Sequence, residues 1–286
     1  MTTIKKMKMK VLDSLFKPLG AIAVLLLTMS TSLMTTGTAS AQVGSPLPTI
    51  YIIGDSTVHN PMTGLCGWGD VISKQFDLTK VNVENDAIGG RSSRTFTTEG
   101  HWATVLAKVK PGDFVLMQFG HNDGGSVVTS YRASLKGIGD DTQVVTNPKT
   151  NQQETVHTYG WYMKQYIEQA KAKGASPIIF SPIPRDIWSA DGKTVDRNMA
   201  DFGGWSEQVA EAENIPFVNL NAIVADKYDV LGFPKVKAAY FPGDHTHTSP
   251  AGAELNAESV VQGLKALPND PVAPYLLPGA PITFSN

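Results

Sequence analysis

Thr49-Ile50-Tyr51-Ile52-Ile53-Gly54-Asp55-Ser56-Thr57 is the run on which the fold turns. Its first five residues are β-branched or aromatic with no polar alternation, which fits a strand covered on both faces, and the GDST that follows is turn chemistry. Four further apolar runs repeat the pattern at 81–85, 114–119, 176–181 and 215–219. The stretches 68–76, 159–173, 199–213, 221–231 and 250–267 carry helical spacing or helical end signals. In 159–173 the apolar Tyr162, Tyr166, Ile167 and Ala170 share one face and Gly174 stands ready to end the helix. Ahead of the last stretch, Ser249 is placed as an N-cap with Pro250 at the first helical position. Strands alternating with helices predict an α/β protein whose five parallel strands are covered by helices on both sides.

The 286-residue chain is 42% hydrophobic and 17% charged, with a formal net charge of -2. That composition excludes a disordered or collagen-like chain, and the absence of basic runs in its body argues against nucleic acid as a partner. A single cysteine, Cys66, makes no internal disulfide and no Cys-rich zinc site, so packing alone must hold the fold. Lys5, Lys6, Lys8, Lys10 and Lys17 precede an apolar stretch over about 19–33, and small residues then close on Ala39-Ser40-Ala41. This is the order of a secretory signal, cut before Gln42. Thr28, Ser30, Thr31 and Ser32 interrupt the apolar run short of the ~20 residues a membrane span needs. The expected mature chain is residues 42–286, a single domain of net charge about -6, secreted or periplasmic and without a stable membrane anchor. Within it, 124–158 lacks periodicity and is expected to be a functional loop or a small β-insertion. The Pro-rich stretch 268–286 is expected to lie over the surface or to be partly mobile.

Ligands of an open parallel sheet bind beyond the carboxyl ends of its strands, so the residues after each run deserve a chemical reading. After the first run, Ser56 on a tight turn presents a hydroxyl, and its own N–H can face a developing oxyanion. After the second, in NDAIGGRS, Gly89 and Gly90 let the backbone approach a ligand closely. After the third, in FGHND, Asn122 offers a neutral amide donor. Before the last helix, in GDHTHTSP, His247 is suited to act as a base, with Asp244 three residues earlier to fix its tautomer. Each segment taken alone is equally a turn or a cap. Asp244, His245 and His247 also form a possible metal set, but no further His or acid cluster completes it, so neither a metal nor another cofactor is expected.

In their joint order these blocks resemble the SGNH (GDSL-type) hydrolase superfamily, which supplies Ser, Gly, Asn and His in that chain order. FGHNDGG, NDAIGGRS and FPGDHTHTSPAGAE are most similar to the versions found in rhamnogalacturonan acetylesterases. The resemblance implies a flavodoxin-like three-layer α/β/α sandwich around a five-stranded parallel sheet. It also implies ester hydrolysis through an acyl-serine intermediate, with Ser56, Asp244 and His247 as the catalytic residues. Ser56, Gly90 and Asn122 would form the oxyanion hole. The function expected is a secreted serine esterase removing acetyl groups from plant cell-wall polysaccharide, most of all rhamnogalacturonan or pectin. An acetylxylan esterase, a GDSL lipase or lysophospholipase, and a non-catalytic polysaccharide-binding protein are the alternatives. Arg91, with Arg94 next in line, could meet a uronate carboxylate, and Trp68 and Trp188 could serve as sugar platforms.

Overall fold

The structure, a computed structural model, describes residues 46–197 and 199–279, so the expected signal segment lies outside the described residues. In chain order it contains β1 (Thr49–Gly54), β2 (Asn82–Asn85), α1 (Ser93–Thr98), α2 (His101–Lys108), β3 (Phe114–Gln118), β4 (Thr142–Thr146) and β5 (Gln153–His157). There follow α3 (Tyr159–Ala172), β6 (Ser176–Phe180), α4 (Phe202–Ala212), β7 (Phe217–Val218), α5 (Leu220–Leu231), α6 (Phe233–Tyr240) and α7 (Pro250–Lys265). None of the helices among the described residues is long and apolar enough to cross a membrane.

Five strands pair in the spatial order β2-β1-β3-β6-β7, all parallel, with Ile52 opposite Asn85 on one side and Leu116 on the other. Because strand side chains alternate between faces, each strand feeds two cores. Ile50, Ile52, Leu116, Ile178 and Val218 pack with Leu220 and Val224 of α5 and Leu255, Val260 and Leu264 of α7. Tyr51, Ile53, Val115, Met117 and Ile179 pack instead with Phe96 of α1, Trp102 of α2, Tyr166 and Ile167 of α3 and Val209 of α4. This is the three-layer α/β/α arrangement expected. Helix α7 begins as read: Ser249 Oγ accepts from the Gly252 N–H at 3.2 Å, with Pro250 opening the helix. Gly174 follows the end of α3 with φ of 79°, a left-handed conformation that costs glycine little.

Several expectations are corrected. The stretch 68–76 forms two short 3-10 turns, Trp68–Asp70 and Ile72–Gln75, in place of an α-helix. The cause is a tight approach, since a Cβ on Gly67 would lie 2.2 Å from the Val58 backbone and one on Gly69 2.8 Å from the Val58 carbonyl oxygen. The Asp70 carboxylate organises the same turn by accepting the N–H groups of Asn60 and Gly67. Strand β2 is not apolar on both faces; it is an edge strand, and Asn82 and Glu84 are exposed. Helices α1, α2 and α6 are additional to those read from the sequence. They are six to eight residues long, too short to display a periodic apolar face. From 268 to 279 the chain is fastened rather than merely draped: Val272 is buried and the Leu277 N–H donates to the Gln75 carbonyl at 2.9 Å.

The aperiodic 124–158 segment resolves into a connection that ends in an antiparallel hairpin, β4 against β5. Its inward Val145 and Val156 make a small core with Val127 and Ala133. Arg94 of α1 bolts this insertion to the sandwich. Its guanidinium, fully buried, forks onto Glu154 of β5 through Nε at 2.8 Å and Nη2 at 2.7 Å, while Nη1 donates to the Ala133 carbonyl at 2.8 Å. Removing one partner of a buried ion pair leaves the other uncompensated, so Arg94→Ala is expected to cost about 3 kcal/mol of unfolding free energy. A urea melt of the variant against the parent measures it; a loss below about 1 kcal/mol would place the pair among weak surface bridges.

Candidate active site

Three connections leave the carboxyl ends of the sheet and meet the loop between α6 and α7, and the first is the turn after β1. Asp55 there is completely buried and accepts from the Thr57 N–H at 2.9 Å and the Thr57 hydroxyl at 2.8 Å. The backbone winds one tight turn, with the Val58 and His59 N–H groups on the Asp55 carbonyl. Ser56 is left at the rim. Beneath it runs a buried relay in which Trp68 Nε1 donates to Gln118 Oε1 at 3.0 Å and Gln118 Nε2 donates to Thr57 Oγ1 at 2.6 Å. Burial pushes the Asp55 carboxyl up, but the imidazole of His121, 3.4 Å away, together with the Thr57 hydrogen bonds outweighs it and holds the group below its ordinary range.

Across from this turn lies the loop before α7. His247 Nε2 is 2.8 Å from Ser56 Oγ, and His247 Nδ1 is 2.7 Å from Asp244 Oδ2, although 191 positions separate serine and histidine in the chain. The other Asp244 oxygen accepts the N–H groups of Thr246 at 2.7 Å and His247 at 2.8 Å. Partial burial raises Asp244, yet the His247 side chain and these two backbone donors bring it down to about 2, so it is charged at any neutral pH. With a carboxylate on Nδ1, that nitrogen carries the proton and Nε2 is free to accept one from a hydroxyl. Both ring nitrogens are thereby engaged, and the described residues contain no cluster of three His, Cys, Asp or Glu able to hold a metal. His245 does not join; its Nδ1 meets Thr246 Oγ1 at 2.8 Å.

The connections after β2 and β3 complete the rim. A Cβ built on Gly89 would lie 3.6 Å from Ser56 Cβ, which shows how closely this strip passes the serine. Gly90 takes φ of 75°. Asn122 Nδ2 donates to the Arg91 carbonyl at 3.1 Å, and its Oδ1 accepts from Arg132 Nη1 at 3.0 Å. Among the described residues, the backbone N–H groups of Ser56 and Gly90 have no acceptor, and the second hydrogen of the Asn122 amide has none either. Unpaired donors gathered beside a serine–histidine pair are suited to stabilise negative charge on an oxygen.

The residues read as sugar or carboxylate contacts all have protein partners, and Trp68 and Arg94 are fully buried. Trp68 is fully buried and part of the relay beneath Ser56, so it cannot be a platform. Trp188 packs on Phe233 and donates to Asp186 at 2.8 Å; it supports the loop that touches His245 through the Asp186 N–H. Arg91 is not a waiting cation either, because Nε is on Glu99 at 2.8 Å and Nη1 on the Gly89 carbonyl. Arg94 is the buried bolt described above. Cys66 is half-buried, and burial with the nearby Asp70 carboxylate pushes its thiol up to about 11, which leaves it a poor nucleophile. Sequence reading missed Arg132, for which only its ten-residue distance from Asn122 was visible. A cavity of about 400 Å³ adjoins the Asn122 loop, lined by Gly120, His121, Arg185, Ile187 and Phe202 among others.

Comparison with known proteins bears on this geometry. The pattern of the GDSL-like Lipase/Acylhydrolase family matches residues 52–255. A rhamnogalacturonan acetylesterase of Emericella nidulans is 34% identical over 218 residues, 76% of this chain and 84% of that one. A protein described as a probable rhamnogalacturonan acetylesterase of Bacillus subtilis is 30% identical over 76% of this chain and 93% of its own length. Among solved structures, a Bacillus subtilis protein superposes with a TM-score of 0.61 at 29% identity, over 77% of this chain; the match spans 56% of that longer protein.

Asp123, next to Asn122, ties the rim together. Its carboxylate takes the Ser93 N–H and hydroxyl and the Ser134 hydroxyl, all buried. Complete burial outweighs those hydrogen bonds and raises Asp123 to about 7. Between about pH 5 and 7 the folded chain holds a proton that an unfolded Asp, ordinarily near 3.9, has released. Stability is therefore expected to fall as pH rises through that window and to level off above it. Melting temperatures across the window should show the fall in the parent and a flatter profile in Asp123→Asn; equal slopes would contradict the assignment.

Proposed function

The chain belongs to the GDSL-like lipase/acylhydrolase family, and we propose that it is an exported serine acetylesterase that deacetylates plant cell-wall polysaccharide, rhamnogalacturonan above all. It is a carboxylic ester hydrolase. The observation that carries the proposal is the contact chain Asp244–His247–Ser56, at 2.7 and 2.8 Å, beside three N–H donors that have no acceptor among the described residues. Ser56 Oγ attacks the acetyl carbonyl while its proton passes to His247 Nε2, and Asp244 stabilises the resulting imidazolium. The N–H groups of Ser56, Gly90 and Asn122 receive the oxyanion. His247 then gives its proton to the departing sugar oxygen, leaving acetyl-Ser56. Water, deprotonated by the same His247, releases acetate and restores the serine.

The names of the two curated relatives favour rhamnogalacturonan as the substrate. Export is supported by the basic, apolar and Ala-Ser-Ala sequence of residues 1–41, and a polymer too large to enter a cell requires it. Acetate release from acetylated rhamnogalacturonan, acetylated xylan and p-nitrophenyl esters of increasing chain length tests the reading. The expected order is rhamnogalacturonan first among polymers and acetyl ahead of long acyl groups. Ser56→Ala should lose about 10⁴-fold or more in kcat, whereas Asn122→Ala should lose about 10²–10³-fold. Preference for long acyl chains would make the protein a lipase, and acetate release that survives Ser56→Ala would remove the serine mechanism.

A further inference from the structure

Asn122 can bind an oxyanion only if its amide faces the right way, and its two fixed neighbours both dictate the orientation. A guanidinium only donates, so the atom 3.0 Å from Arg132 Nη1 must be the amide oxygen. A carbonyl only accepts, so the atom 3.1 Å from the Arg91 carbonyl must be the amide nitrogen. One hydrogen of that nitrogen is used on Arg91, and the other is left for a ligand. The same Arg132 Nη1 also reaches the Gly90 carbonyl at 3.5 Å, so it touches the residue that supplies a second donor as well as the Asn122 amide.

Arg132 is itself held in place. Its guanidinium lies 5.9 Å from the centre of the Tyr131 ring. The next two residues are fixed to the same rim: the Ala133 carbonyl accepts from buried Arg94, and the Ser134 N–H donates to the Asp123 carbonyl at 3.0 Å. No carboxylate among the described residues pairs with Arg132, whereas neighbouring Arg91, His101 and Lys149 all converge on Glu99. A half-buried cation without a counter-charge, bonded to an amide oxygen, draws electron density from that amide and makes its N–H a stronger donor.

We infer that Arg132, supplied by the 124–158 insertion, is a positioning residue that orients and polarises the Asn122 amide for the oxyanion. This rests on the serine mechanism proposed above. A small ester without sugar, p-nitrophenyl acetate, keeps polymer binding out of the measurement. Arg132→Met is expected to lower kcat about 10- to 100-fold, the span of a hydrogen bond to a charged group, with KM within about twofold. Added to Asn122→Ala, it should cost less than about a further twofold, because its effect passes through that amide. Arg132→Lys, which keeps the charge and a donor, should restore part of the loss. Urea melts establish that each variant is folded. Should Arg132→Met fail to fold, Arg132→Gln replaces it and must show the same selective fall in kcat. Parental kcat in a folded Arg132 variant, a change confined to KM, or full additivity with Asn122→Ala would each overturn the inference. Ser56→Ala in the same assay separates the two ideas, since activity surviving there removes the serine mechanism itself.

Discussion

A carboxylate with no solvent exposure stands one residue before Ser56, and the site is organised by what is required to keep it there. A buried charge is costly unless hydrogen-bonded and paired. Asp55 takes both Thr57 donors, which winds the turn and leaves Ser56 at the rim. The turn in turn needs Gln118 on Thr57 and Trp68 on Gln118, which draws a tryptophan from the adjoining 3-10 turn into the core. On its other side, His121 faces Asp55 and reaches the Ile183 carbonyl through Nε2 at 3.1 Å, so the connection after β3 is locked to the one after β6. Arg185 reinforces that lock by donating to the His121 carbonyl.

From this anchor the second half of the site follows by stapling. Asp186 receives no instruction from the catalytic chemistry, yet its N–H on the His245 carbonyl positions the loop that carries His247. Cys66 does the same from the opposite side, donating its N–H to the Thr248 carbonyl and accepting the Thr248 hydroxyl. The imidazole is therefore braced by two loops and oriented by Asp244, so a bond to serine across 191 positions needs little ordering when substrate arrives.

The insertion follows the same logic. A hairpin of two five-residue strands cannot bury much apolar area, and its own core contains few residues. It is fixed instead by polar bonds: Arg94 to Glu154 and Ala133, and Asp123 to Ser134. These bonds place Arg132 against Asn122. Polar fastening gives direction as well as adhesion, because a guanidinium fork and a carboxylate admit few geometries.

The sheet was legible in the sequence because strands buried on both faces must be continuously apolar, and runs such as 49–53 and 114–119 admit little else. Ser56, Gly90, Asn122, Asp244 and His247 stand at the edge where ligands bind, but each segment alone read equally as a turn or a cap; their joint order, through its resemblance to the SGNH hydrolases, is what singled them out. The short helices α1, α2 and α6 were not legible, since six to eight residues give too few turns for a period to emerge. Nor were the fates of the large polar and aromatic side chains. Trp68 and Arg94 read equally well as surface contacts, and only the three-dimensional placement of Gln118 and Glu154 gave each buried side chain a polar partner. Local pattern thus determined the strands and the chemical inventory of the rim. Tertiary structure decided which side chain meets which, because a hydrogen bond between residues far apart in sequence leaves no periodic trace along the chain.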